Sequence, residues 1–151
     1  MILRSLELKN FGLFNDESYE FRRGMNLVIG PNEAGKSTMM ESVPAILFGC
    51  NEKKRFQPWG QSEPTCAALM LENQCNNVLI ERNIDNDHVE LTQSDDMYQQ
   101  QDHFIATVAV GEYSSQQLAY RDYLAKILGI HDEMLFRASL FVGQGDFPSS
   151  A

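Results

Sequence analysis

Apolar and polar residues alternate from Ile2 to Phe11, with Ile2, Leu6 and Leu8 on the parity of Arg4; this period of two predicts a strand. Asn10-Phe11-Gly12 reads as a turn. Glu17 to Phe21 reads as a second strand, with Tyr19 and Phe21 on one face and Arg22-Arg23-Gly24 closing it. Met25 to Ile29 is short and almost wholly apolar, the pattern of a strand buried on both faces. From Lys36 the period lengthens: Met39, Met40, Val43, Leu47 and Phe48 recur at helical spacing, and Gly49 supplies a stop. Pro44 lies inside this helix and removes the bond from its own nitrogen to the Met40 carbonyl, so a kink is expected there. Residues 51–64 are polar, carry Pro58 and Pro64, and read as a long surface loop.

Three strands are predicted next, at Thr65 to Leu71, Val78 to Asn83 and His88 to Thr92. Asn73-Gln74-Cys75-Asn76-Asn77 and Asp85-Asn86-Asp87 supply turn residues between them, so they form an antiparallel meander. Gln93 to Gly111 is ambiguous, with Phe104 to Val110 a candidate strand. Ser115 to Leu128 carries Leu118, Leu124, Ile127 and Leu128 on a helical stripe capped by Gly129, and a further helix is expected over about Asp132 to Leu140. The chain then runs through Phe141-Val142-Gly143-Gln144-Gly145-Asp146-Phe147, an apolar strand end leading into a glycine-flanked glutamine.

Composition narrows the picture. A length of 151 residues suits one compact domain and not two. The hydrophobic share of 43% and charged share of 22% are those of a globular chain. The net charge of -9 is opposite in sign to that of a module that grips nucleic acid with its own surface. Cys50, Cys66 and Cys75 are odd in number and lack zinc-site spacing, so reduced, mostly buried thiols are expected. No signal peptide or membrane-spanning run is visible, which points to a soluble, cytoplasmic protein.

The candidate chemistry lies between the apolar run and the helix. Gly30-Pro31-Asn32-Glu33-Ala34-Gly35-Lys36-Ser37 fits the phosphate-loop pattern G-x-x-x-x-G-K-[ST] at every fixed position. The glycines let successive N–H groups converge on a β-phosphate, and Lys36 reaches the β- and γ-phosphates as a point charge. The Ser37 hydroxyl is placed to ligate Mg²⁺, and the partial positive charge of the helix start favours the anion. A chance match of four fixed positions is expected in well under ~1% of chains this long, and here the motif also follows an apolar run and opens a helix. ATP with magnesium is the expected ligand, held by residues 30–38 including Thr38.

Gly30 to Thr38 followed by Glu41 and Leu47-Phe48-Gly49 resembles the SMC, RecF and SbcC group of ATP-binding-cassette ATPases, as do the opening LRSLELKNFGLF and the closing FRASLFVGQGDF. EKKRFQPWG and IERNI look most like the YhaN branch of SbcC-like bacterial proteins. The resemblance implies an α/β fold, a P-loop NTPase half-domain of the N-terminal-lobe type. It would have a buried phosphate-loop strand, an antiparallel meander and flanking helices, with residues 1–151 as a single lobe. It implies catalytic roles for Lys36 and Gln144. Gln144, in a Q-loop, would ligate Mg²⁺ or orient the attacking water. Arg55, nineteen residues after Lys36, stands where relatives can carry an arginine that approaches the phosphates; a solvated loop charge beside Lys53 and Lys54 is the competing reading. Trp59 could stack on a base or partner, with a loop-anchoring core role preferred. Gly12 is a departure, because several relatives carry a basic residue just after that Phe.

The rest of such an ATPase site is not visible in the sequence. Hydrolysis in this group needs an apolar strand ending in acids and a signature loop donated across a dimer. Asp95-Asp96 follows the polar Thr92-Gln93-Ser94, and Glu72 follows Leu71 alone. The expectation is therefore an N-terminal lobe stopping near the point where a coiled coil would begin. Its partners would be a C-terminal lobe of the same or another chain, an ATP-dependent dimer, DNA through the full assembly, and a nuclease. The alternative is a stand-alone nucleotide-binding regulatory module without turnover. A small-molecule kinase fits poorly, since residues 93–151 offer only Arg121, Lys126 and Arg137 as bases. With a charge of -9 and no basic stripe, this chain should hold duplex DNA weakly or not at all at physiological salt. Gel-shift titration across salt concentrations checks this; a tight complex surviving moderate salt would require Arg22, Arg23, Lys53, Lys54 and Arg55 to converge.

Overall fold

The computed structural model describes residues 1–31, 35–60, 62–74, 76–95, 100–107, 115–129 and 133–139. Six strands, β1 (Ile2–Phe11), β2 (Phe14–Glu20), β3 (Cys66–Asn73), β4 (Asn76–Asn83), β5 (His88–Asp95) and β6 (Gln100–Thr107), form one sheet in the order β2-β1-β3-β4-β5-β6. Every neighbouring pair is antiparallel. The meander is therefore wider than the three strands its turn residues suggest. It extends to β6, which overlaps the candidate strand at Phe104 to Val110, and the opening hairpin joins the same sheet through β1 against β3; Val108 to Val110 lie outside the described residues.

Alternation sets the two faces of this sheet. Leu6 and Leu8 of β1, Leu69 and Leu71 of β3, Val78 and Ile80 of β4, and Val89 and Leu91 of β5 are buried on one side. Register brings Leu6 opposite Leu69, Leu69 opposite Ile80, and Ile80 opposite Leu91, a continuous apolar row across four strands. The other side carries Glu7, Lys9, Glu81 and Glu90, as suits an antiparallel sheet covered on one face only.

Helix α1 (Lys36–Phe48) covers the apolar face, burying Met39, Ala45, Ile46 and Leu47. Helices α2 (Ser115–Leu128) and α3 (Glu133–Ser139) add Tyr120, Leu124 and Phe136 to the same core. The helix runs unbroken through Pro44, which is itself buried, and ends at Gly49, whose N–H donates to the Ala45 carbonyl at 2.9 Å. Met40, expected on the apolar stripe, is half exposed, while Ser42 is fully buried and donates to the Met39 carbonyl.

A buried arginine holds the far end of α1. Arg82 continues the inward parity of Val78 and Ile80, is 3% exposed, and donates from Nε to the Ile46 carbonyl at 2.7 Å and from Nη2 to the Leu47 carbonyl at 3.3 Å. Tyr120 donates its hydroxyl to the same Leu47 carbonyl at 2.8 Å, and burial pushes its phenol pKa up, so it stays a donor at neutral pH. A cation at the C-terminal end of a helix also meets the negative end of its dipole.

Two sequence expectations are overturned. Met25 to Ile29 forms no strand, and Met25, Leu27 and Ile29 are 97%, 80% and 83% exposed. A two-faced apolar strand needs a neighbour along each edge and cover on both faces, and no described strand pairs with it. Trp59 is fully exposed and not a core anchor. The loop is anchored by Phe56, stacked on Phe11 at 4.6 Å, and by Gln57, bonded to Asp85 at 2.6 Å. The half-buried thiols of Cys50 and Cys66 are free, and burial raises both pKa values, which keeps them protonated; Cys75 lies outside the described residues. No described helix is long and apolar enough to cross a membrane.

Arg82→Ala should destabilise the fold by about 3 kcal/mol, because two buried carbonyls lose charged donors together. Urea unfolding measures this, and Arg82→Lys, which keeps the charge and one donor group, should cost less.

Candidate nucleotide site

The phosphate-loop motif spans the end of the extended segment and the first turn of α1. Gly35 precedes the helix in the left-handed conformation, φ 92°, and its carbonyl accepts the first helical bond from Met39 N–H at 2.8 Å. A Cβ at this position would lie 2.8 Å from the Phe14 ring, so glycine is required twice, by backbone conformation and by space. Phe14, at the start of β2, thereby lies directly against Gly35. Nothing in the sequence pattern singled it out, since its role depends on the hairpin folding back beneath residue 35.

The first turn of α1 has no side-chain cap hydrogen bond and no acidic residue, so within that turn nothing offsets the positive end of the helix dipole. The Lys36 ammonium folds back across the loop and donates to the Gly30 carbonyl, joining the two ends of the motif. Ser37 is exposed on that first turn and Thr38 is partly buried behind it. The motif's fixed positions Gly30, Gly35, Lys36 and Ser37 thus come together with Thr38. Pro31 is exposed beside Gly30. Asn32, Glu33 and Ala34 lie outside the described residues, as does Gln144.

The β1–β2 hairpin closes one flank of the site. Gly12 has φ 58°, and a Cβ there would come within 2.8 Å of Thr38 Cγ2. That close approach, with the positive φ, is a physical reason for glycine at this position. Gly12 N–H donates to the Phe56 carbonyl at 2.7 Å, which draws the short 3-10 turn Lys53–Arg55 to the same corner. Arg55 is exposed, its guanidinium 5.6 Å from the Phe56 ring centre. Lys53 is engaged elsewhere, bonded to Asp87 at 2.9 Å and to the Asp85 carbonyl at 3.0 Å. The structure therefore brings Arg55 to the hairpin that touches the loop and ties its neighbour Lys53 into the β4–β5 turn.

Among the described residues no cluster of three or more His, Cys, Asp or Glu could hold a metal ion by itself. Magnesium keeps several waters and is ordinarily carried by phosphates with one or two protein oxygens, and the Ser37 hydroxyl on the first turn of α1 is an oxygen of that kind. The uncapped helix start and the cradle under Gly35 fit the phosphates of a nucleotide.

Sequence inspection missed the groups that hold this site from behind. Arg82 could have been found, because a charge in phase with Val78 and Ile80 must point inward. The partner of Glu41 could not: Arg137 reaches it from 96 residues away, with Nη2 2.7 Å from Oε2 and Nη1 3.3 Å from Oε1.

The family model described as an AAA domain matches residues 1–139. The DNA double-strand break repair Rad50 ATPase of Sulfurisphaera tokodaii is 27% identical over 154 residues, covering 99% of this chain and 16% of that protein. YhaN of Bacillus subtilis is 34% identical over 55 residues, 36% of this chain and 6% of its own length. The DNA replication and repair protein RecF of Protochlamydia amoebophila is 39% identical over 58 residues, 38% of this chain and 16% of its own. The chain spans no more than 16% of the length of these relatives. With the match running through both the opening hairpin and the phosphate loop, the chain belongs to the AAA-domain family and is an N-terminal region of the SMC, RecF and SbcC type of ATPase.

Proposed function

We propose that this chain is the N-terminal ATP-binding lobe of an SbcC- or SMC-like ATPase that acts in DNA repair or chromosome maintenance. The observation that carries the reading is the phosphate-loop motif at the uncapped start of α1, with left-handed Gly35 seated on Phe14 and Lys36 joining the loop's ends. Lys36 would exchange its Gly30 carbonyl for β- and γ-phosphate oxygens. Ser37 would supply the metal hydroxyl, Arg55 would approach from the hairpin corner, and the amides of the first turn would face the anion. Magnesium, when bound, would neutralise charge on the phosphates. The repair role rests on the relatives, whose names carry it.

Turnover would need a C-terminal lobe, of the same or a partner chain, to bring a water-orienting carboxylate and a trans charge stabiliser. The exposed apolar run Met25 to Ile29 supports such an addition. So does the adjoining cavity of about 490 Å³, bounded by Leu3, Val28, Met39, Val43 and Phe136. Both offer apolar surface that a monomer in water ordinarily covers. Gln144 would act in that completed site, an ATP-dependent dimer would follow, and DNA and a nuclease would be met by the whole assembly.

Lys36→Ala should weaken magnesium–ATP binding by about tenfold to a hundredfold, the usual worth of a charged contact to phosphate. Calorimetry reads this, with thermal unfolding in the absence of nucleotide to separate loss of the Gly30 contact; unchanged affinity would sink the assignment. The chain alone should release phosphate from ATP at no more than the background rate, and addition of the C-terminal lobe should restore turnover. Steady turnover by the chain alone, abolished in Lys36→Ala, would show that a catalytic acid lies within these residues.

A further inference from the structure

Helix α3 is held to the rest of the molecule along one side. Phe136 sits edge-on to Phe48 of α1, ring centres 5.5 Å apart, while Met134 is largely and Leu135 half exposed. Next to Phe136, the Arg137 guanidinium takes both oxygens of Glu41, at 2.7 and 3.3 Å, and its Nε donates to Glu133 of its own helix at 3.1 Å. Two parallel bonds fix orientation as well as distance, and Glu133, one turn back, holds the arginine in the conformation that reaches α1. The Glu41 side chain is only 14% exposed, so a carboxylate left there without its partner would be poorly solvated. Its hydrogen bonds raise the Arg137 pKa further above its ordinary value, keeping the cation permanently charged.

The placement of Glu41 matters more than the bond itself. Ser37 and Glu41 are four residues apart on α1 and so lie one above the other on the same helical face. The clasp therefore grips α1 one turn below the residue offered to the metal.

We propose that Arg137 is a positioning residue: through its paired bonds to Glu41 it makes α3 follow the phosphate-loop helix, so that nucleotide binding at Ser37 is transmitted to α3. The proposal rests on the nucleotide-site reading above and adds the route by which that site would be sensed. A tether could be made from apolar contacts alone, as Phe136 and Phe48 already show. The paired ion contact adds a fixed angle between the two helices, which is what a transmitted displacement requires.

Amide hydrogen exchange over residues 133–139, with and without magnesium–ATP, tests this on the whole chain. In the unmodified protein the nucleotide should slow exchange in α3. Arg137→Gln and Glu41→Gln should each remove about five- to tenfold of that slowing, and the double variant should be no worse than either single one. Arg137→Lys, which keeps the charge but not the paired geometry, should retain part of it. A structural tether alone would speed exchange in α3 equally with and without nucleotide. Slowing by nucleotide that persists in both glutamine variants, or binding that never slows α3 in the unmodified protein, would overturn the clasp and leave the nucleotide site standing. Absence of magnesium–ATP binding in calorimetry of the unmodified protein would overturn the site and the clasp together.

Discussion

A helix that offers its N-terminal amides to an anion cannot have those amides satisfied by its own side chains. An acidic cap on the first turn of α1 would satisfy its free amides and occupy the place of the phosphate. The chain leaves that turn without a side-chain cap or an acid and secures the helix elsewhere. Arg82 and Tyr120 bind the last carbonyls, Ala45 to Leu47 are sunk into the sheet, and Arg137 grips Glu41 from the side. A charge buried in a β-strand is costly when unpaired, but two helix-end carbonyls and the face of Tyr120 at 5.9 Å make Arg82 a bridge between the layers.

The sheet follows from the same requirement. Its inner face must be flat and apolar enough to seat α1, and the row Leu6, Leu69, Ile80, Leu91 provides this across four strands. The outer face is free of that demand and carries carboxylates, with Glu81 directly opposite Glu90. Acidic groups there contribute to the charge of -9 and make that surface unfavourable for a polyanion, whereas the exposed cations Lys54 and Arg55 lie at the hairpin corner. The site and the acidic face are thus separated by the thickness of the fold.

Local periodicity makes much of the architecture legible in the sequence alone. Alternation in β1, β3, β4 and β5, the helical spacing of α1 and α2 and the stops at Gly49 and Gly129 depend on the chemistry of neighbouring residues, and the elements lie within a few residues of their sequence bounds. The phosphate-loop motif was legible for the same reason, since its glycines, lysine and serine stand at fixed short spacings. Arg82 was legible in principle through its parity with Ile80.

Other features depend on groups distant in the chain, and periodicity carries no information about these. The apolar pattern of Met25 to Ile29 correctly marks residues that favour burial. Whether they are buried depends on neighbouring strands, and the described sheet provides none. Trp59 is aromatic enough for a core, but Phe56 takes the place against Phe11, and the Trp side chain is left in solvent. Phe14 under Gly35, Gly12 against Thr38 and Arg137 on Glu41 join residues between 21 and 96 positions apart. The sequence by itself determined most of the strands and helices and the position of the phosphate-loop motif. Only the tertiary structure decided what supports that loop, because a close approach or an ion pair exists only once the chain has brought its two halves together.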